Sequence, residues 1–379
     1  MADTASQSAS TLPRAGDWPI GDATQMGGIA RDRVAAAMME LYLPERGRLT
    51  DEQRGRMAGL LGRLIDSVED AVRAAMMPFM GARHDVVRSA IATPRIRIAR
   101  PILEGSRALA DPALIEVILR RCDEQHLSRL LRLDAEAAGE IPAGLIERFI
   151  ITEDEALPAL AIGYLVAESR RLDQFSDPVI ARSDLPAEIQ HRMAWRVAAA
   201  LRAYLVGQHG VPAGEADAML SPATEQVLVD HDESAGFEAA TQRLVRRLHK
   251  NGWLGDGLIV DALADARPGI AMAAIALRAR VPTEVVWDMA VDGDTGRLGL
   301  MLRAIRMERV EAGAILDRLD RLDQAGVTRL DVAMAAYDMH DSREAEALIA
   351  PFRLDPAYRA AIVQIGGGQI GSGQIGGGG

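Results

Sequence analysis

The sequence predicts an all-α protein, an α-solenoid of stacked helical hairpins behind a long N-terminal helical segment. Three observations carry this. Only 4% of the 379 residues are aromatic and β-branched runs are scarce, so a core packed through Ala, Leu, Met and Ile on helices is expected. Apolar residues recur at three- and four-residue spacings along most of the chain, the period of a helix with one buried face. Most tellingly, one unit recurs: Ile141–Leu160 aligns without gaps on Val281–Leu300, pairing Ile141 with Val281, Pro142 with Pro282, Leu145 with Val285, Ile146 with Val286, Phe149 with Met289, Asp154 with Asp294 and Leu160 with Leu300.

Residues 1–28 are rich in Ala, Ser, Thr, Gly and Asp and lack apolar periodicity, so they read as a disordered leader, with Trp18 a small docking anchor within it. A helical segment spans 29–99. Val34, Met38 and Leu41 share its first face until Pro44 stops the run. Thr50 then begins a second helix, with Gln53 placed to complete a capping box. Leu60, Leu61, Leu64, Ile65 and Val68 form its stripe, and Pro78 and Gly81 mark its end or a sharp bend.

Residues 100–362 read as the repeat array, a series of short helices entered through X-Pro pairs. Asp111-Pro112 and Asp177-Pro178 each place a capping acceptor before a proline at the first helical position, where no N–H is needed, and Ser-Pro and Leu-Pro pairs suit the same role. Pro112–Ile118 and Gly257–Leu263 echo the unit, at separations of about one hairpin from Leu145 and Val285. The unit is therefore a helix, a short acidic turn and a second helix. Neither helix buries its face alone, so neighbours must stack. The stretch 167–252 is irregular, with one longer helix from about Pro186 to Val206. Residues 363–379 hold three Gln-Ile pentads in glycine, too little apolar surface to order the backbone, and form a disordered tail that is drifted linker or a repeated short ligand.

The N-terminal helix, the Arg100–Ile118 block and the two proline and acidic-turn units resemble the bacterial family known as domain of unknown function 2336, over about Leu49–Ile349. The resemblance implies a HEAT-like helical repeat array and brings no catalytic residues with it.

Composition narrows function. A net charge of -11 argues against general nucleic-acid binding, which needs clustered cations. Cys122 is the sole cysteine, which excludes an internal disulfide framework and suits a reducing cytoplasm. The first ten residues have no basic and apolar signal regions, and no apolar run reaches membrane-spanning length, so neither secretion nor a membrane partner is expected.

Reaction signatures are weak. The seven histidines form no metal-ligand pair on a helical face. Asp230-His231-Asp232-Glu233 places carboxylates beside an imidazole, but neighbours along a helix diverge by roughly 100°; a solvated turn explains it. Asp292-Gly293-Asp294 begins like a calcium loop, yet Arg297 and Arg303 stand where glycine and glutamate are required; with Thr152-Glu153-Asp154, it reads as a helix cap. No phosphate loop, dinucleotide fingerprint or nucleophile elbow occurs. No cofactor or metal is expected.

Charge patterning says more. Ala203–Gln242 holds seven acidic residues and no Lys or Arg, and then Arg243, Arg246, Arg247 and Lys250, the only lysine, arrive on one helical face while Leu244, Val245 and Leu248 point to a core. Cations near the helix end signalled by Asn251-Gly252 complement its dipole; read functionally they form an acidic-partner face with Trp253 as anchor. A second basic stretch, Arg83–Arg100, includes Arg88, Arg95 and Arg97, and Asp134–Glu155 is acidic, so opposed patches could self-associate. The expectation is a non-enzymatic interaction scaffold or regulatory adaptor that binds another protein; the alternatives are a small-anion or nucleotide sensor using arginines between repeats, and a hydrolase whose site assembles only in three dimensions.

Overall fold

Thr50 starts the first helix as its sequence implies. Its hydroxyl accepts from Gln53 N–H at 3.1 Å and the Gln53 amide oxygen accepts from Thr50 N–H at 2.9 Å, a reciprocal capping box. The structure is a computed structural model that describes residues 49–81, 85–93, 96–106, 108–139, 144–173, 175, 177–291, 295–322, 330–355, 357–358, 361–362 and 365. The leader with Trp18, the helix read over Val34, Met38 and Leu41, Arg83, Arg95, Ile141-Pro142, Asp292–Asp294 and the tail apart from Ile365 lie outside the described residues. Contacts divide the chain into two units, Met1–Arg54 and Gly55–Gly379, and the buried residues of the core belong to the second.

The described residues are predominantly helical and contain no strand, only an isolated bridge between Leu172 and Pro178. The chain is all-α. No described helix is long and apolar enough to cross a membrane.

Two hydrophobic cores organise the second unit. The first gathers Leu60, Leu64, Val68 and Val72 from α1 (Asp51–Met76), Val87 and Ile91 from α2 (Asp85–Ala92), and Leu103 from α3 (Ala99–Ser106). It closes against Met193, Val197 and Leu201 of α7 (Ala187–His209) and Met219, Leu220 and Ala223 of α8 (Ala213–Val229). This core therefore takes residues from both sides of Arg100, Ile98 and Ala99 before it and Leu103 after it.

Between the cores lies α4 (Pro112–Ala138), 27 residues without an internal glycine or proline after its first position, stopped by Gly139 at φ 65°. Leu114, Ile118 and Cys122, spaced by four, face the first core; the phase then slips by one residue and Leu127 and Leu131 face the second. A single helix thus buries two successive faces.

The second core is built from α5 (Leu145–Ile150), α6 (Leu157–Ser169), α9 (Phe237–Lys250), α10 (Asp256–Ala264), α11 (Pro268–Ala279), α12 (Thr283–Val291), α13 (Thr295–Ala304), α14 (Arg309–Leu322), α15 (Leu330–Met339) and α16 (Ser342–Ile349). Helices adjacent in sequence pack on each other at α5–α6, α10–α11, α11–α12 and α12–α13, and α4 lies against α10, α11 and α14. Over the described residues the first copy of the internal repeat folds as helix, turn, helix (α5, 151–156, α6), and the second supplies the two helices α12 and α13. The paired positions Leu145/Val285, Ile146/Val286 and Phe149/Met289 are all buried in this core.

Three expectations are corrected. The Pro112 stretch is not half of a hairpin reaching to Leu145 but one long helix, because nothing before Gly139 breaks it. Ser221-Pro222 is not a helix entrance: Pro222 lies inside α8, where buried Met219 and Leu220 before it and Ala223, Thr224 and Val227 after it hold both halves to the core against the local cost of the ring. Asp177-Pro178 opens no helix either. Arg63 donates to Pro178 O and Arg121 to Val179 O, Val179 N–H donates to Arg171 O, and the segment is held extended until a short 3-10 turn at Arg182–Asp184.

Candidate functional site

A cavity of about 640 Å³ opens where the two cores meet. Its walls come from the first half of α4, the 180–189 connection into α7, the start of α9, and α11 and α12. Such a volume falls within the range of ligand pockets.

A partly buried ion network lines the cavity. Arg171 pairs with Glu124 and, at 3.2 Å, with Asp184, and its guanidinium carbon lies 4.2 Å from the centroid of the Phe237 ring. Tyr164 packs against the same ring, centroid to centroid 5.2 Å, and is itself 5.5 Å from the Arg267 guanidinium carbon. Cations bracketing an aromatic pair in this way gain from the rings' negative faces. Asp184 also accepts from Phe237 N–H at 2.8 Å, joining the connection to the first turn of α9. Gly236 permits this approach, since a Cβ there would overlap the Ser183 carbonyl oxygen. Burial, and Arg171 beside it, push the Arg121 guanidinium down to about 10; its N–H groups are taken by the Val179 and Arg171 carbonyls.

The cavity's balance of charge is acidic. Among the described residues Arg120, Arg121, Arg171 and Arg192 face Glu116, Glu124, Asp184, Glu188, Glu233, Glu238 and Glu284. Every one of the arginines has a carboxylate partner within the protein: Arg120 has Glu116 and Glu284, each at 3.6 Å, Arg121 and Arg171 share Glu124, and Arg192 donates to Asp111 at 2.8 Å. Arg192, and Arg196 with it, holds the Asp111 carboxyl below the ordinary carboxylate range. Burial, with Glu284 and Glu124 nearby, pushes the Glu238 carboxyl above it. A cation entering the cavity would relieve that penalty; an anion would add to it. Trp287 contributes a buried apolar wall.

The predicted basic face divides. Leu244, Val245 and Leu248 are buried, and Asn251 caps α9 with Gly252 following at φ 73°. Arg247, however, turns inward, donating to Asp154 at 3.1 and 2.5 Å, where Asn251 joins it at 2.9 Å. The same Asp154 carboxylate accepts from Ala156 and Leu157 N–H at the start of α6. Arg247 therefore ties α9 to the cap of α6. Arg243 donates to Ser234 O and Arg246 to the Gln242 side chain; these two, Lys250 and Trp253 (44% exposed) stay at the surface.

Other candidates are absorbed by structure. His231 bonds to Leu185 O, and Asp232 caps the 3-10 turn that follows. Arg88 donates to Met80 O, and Arg97 pairs with Asp66 and Asp70. Asp134 accepts from Arg321. Among the described residues no group of His, Cys, Asp and Glu is placed to hold a metal ion. Burial, then Asp123, raises the Cys122 thiol to about 11, which disfavours the thiolate.

The cavity itself was missed by sequence reasoning. Its residues come from six separated segments, and the one local trace is the pair Arg120-Arg121 on α4.

Comparison with known proteins adds a family and nothing closer. The family described as "Uncharacterised protein conserved in bacteria (DUF2336)" matches residues 154–350, just over half of the chain and a shorter span than the resemblance from Leu49. No curated protein and no solved structure matches.

Proposed function

The chain belongs to the bacterial DUF2336 family, and we propose that it is a non-enzymatic interaction scaffold or regulatory adaptor whose docking site is the acidic cavity between its two cores. The occupant is a positively charged segment of a partner protein. The observation that supports this is the state of the lining arginines: each already pairs with a carboxylate of the chain, while among the described residues Glu188 and Glu238, which line the open volume, form no ion pair with an arginine. That pattern disfavours the small-anion or nucleotide reading, which needs cations free to receive phosphate. The hairpins stack as HEAT-like repeats in this reading, placing the cavity where the array changes direction, and the setting is the bacterial cytoplasm.

The test is fluorescence anisotropy with a labelled arginine- and lysine-containing peptide. Glu188→Lys with Glu238→Lys should weaken binding at least tenfold. Because the chain carries a net charge of -11, equal reversals at Glu136 and Glu225, exposed and outside the lining, serve as control. Equal losses in both pairs, or none in the cavity pair, sink the site.

The same carboxylates support a second reading, a hydrolase in which Glu238, whose carboxyl burial and Glu284 push upward, is the acid and Glu284 the base. Turnover abolished by Glu238→Gln would favour it; peptide binding that survives this substitution without turnover favours the adaptor.

A further inference from the structure

One helix exposes a face that its composition does not suit. α6 is apolar on every side from Leu157 to Ala167, and while Leu157, Ala161 and Tyr164 enter the second core and Ala167 is buried, Ala159, Ile162, Gly163 and Val166 face solvent, with Ile162 50% and Val166 44% exposed. Helices that are apolar on every side are ordinarily covered on every side. Leu172 and Phe175, the latter 76% exposed, lie just beyond its end.

The charges flanking this face select its occupant. Glu155 stands exposed before the helix and Arg170 exposed at its C-cap, and no ion pair between described residues takes either. The nearby cation, Arg247, is committed to Asp154. We infer that α6 is a self-docking surface, on which the α6 of a second copy lies antiparallel across a two-fold axis between Ile162 and Gly163.

In that register every residue meets a complement. Ile162 faces the partner copy's glycine, Ala159 its valine, and Glu155 its arginine, because the sequence numbers in each pair share one sum about the axis. Large side chains meet small ones and opposite charges meet at both ends, as an isologous interface requires. A parallel pairing would set Glu155 against glutamate and Arg170 against arginine, so the charges exclude it. The surface is independent of the acidic cavity.

Sedimentation velocity of the full chain at about 100 µM reads the outcome, since an interface with a dissociation constant near 10 µM is then mostly dimeric. Wild type should sediment as a dimer. Glu155→Arg or Arg170→Glu alone should raise the dissociation constant about tenfold, and the two together should restore it to within about threefold, a recovery that only cross-copy pairing predicts. Circular dichroism confirms that each variant is folded. A monomeric wild type, unaffected single variants, or a double variant no better than the singles overturns the proposal; a monomer whose face is covered by a different protein does so as well. These readouts concern mass alone, so their failure leaves the peptide-binding test standing.

Discussion

Glu69 and Arg73, one turn apart on α1, form an ion pair from which water is excluded, with relative exposures of 0% and 5%. Each also fastens a different part of the following chain. Arg73 donates to the carbonyls of Ile91, Thr93 and Ile96, while Glu69 accepts from the N–H groups of Ile98 and Ala99 at the entrance of α3. The connection from α2 to α3 is thereby laid against α1 by charge-assisted bonds.

Removing one member leaves the other charged and buried, so Glu69→Ala should cost about 3–5 kcal/mol in urea unfolding. Glu69→Leu with Arg73→Met should recover part of that loss, because the pair is worth less than the penalty for breaking it. A single variant within about 1 kcal/mol of wild type would show that the pair is hydrated in solution.

Gly299 in α13 sets how closely α15 approaches. A Cβ there would overlap the carbonyl oxygen of Ala333, a backbone atom that cannot rotate away. Alanine is the better helix former by roughly 1 kcal/mol, yet Gly299→Ala should lower stability by about 1–3 kcal/mol through overpacking. Gly55, helical with nothing near its Cβ position, is the contrast: Gly55→Ala should raise stability by up to about 1 kcal/mol. Thermal melts of both variants check the opposite signs.

What the sequence made legible is what local chemistry decides. The Thr50–Gln53 box, the Asn251-Gly252 stop and the buried spacing of Leu244, Val245 and Leu248 depend on neighbours within a turn or two, and all stand in the structure. The inclusion of Pro222 within α8 and the two-faced burial of α4 depend on partners far along the chain. Arg247 shows the limit most clearly: its spacing placed it on a surface face, but Asp154, 93 residues earlier, takes its guanidinium. The cavity carboxylates were equally hidden, since Glu124, Glu238 and Glu284 approach one another only through packing of α4, α9 and α12.

That division of the basic face can be tested. Arg243→Glu with Arg246→Glu should leave the melting temperature nearly unchanged, because both side chains are at the surface, whereas Arg247→Met should lower it by untying α9 from the cap of α6. Arg247 holds the Asp154 carboxyl well below the usual carboxylate range. A lowered native value contributes stability above the ordinary carboxylate pKa and loses it as pH falls further. The gap between wild type and Arg247→Met should thus be full above about pH 4 and close toward pH 2.

Asp123 on α4 predicts the opposite trend. Burial, reinforced by Glu124 and Asp288 and opposed by Arg56, pushes its carboxyl from 3.8 up to about 6. The folded chain then binds this proton more tightly than the unfolded chain does. Stability from this group is highest below pH 3.8, falls as pH rises through the window between the two values, and stays low above about 6. A gap of about two between the folded and unfolded values corresponds to about 3 kcal/mol at most, and solvent reaching part of the side chain reduces this to about 1–2 kcal/mol. Asp123→Asn removes the penalty while keeping the shape. It should be more stable than wild type by about 1–2 kcal/mol at about pH 7.5 and equal to it near pH 3.5 in urea unfolding at matched ionic strength. A gain that persists unchanged at the acid end would instead assign the effect to packing, and a loss at neutral pH would mean that Arg56, not burial, governs this carboxylate.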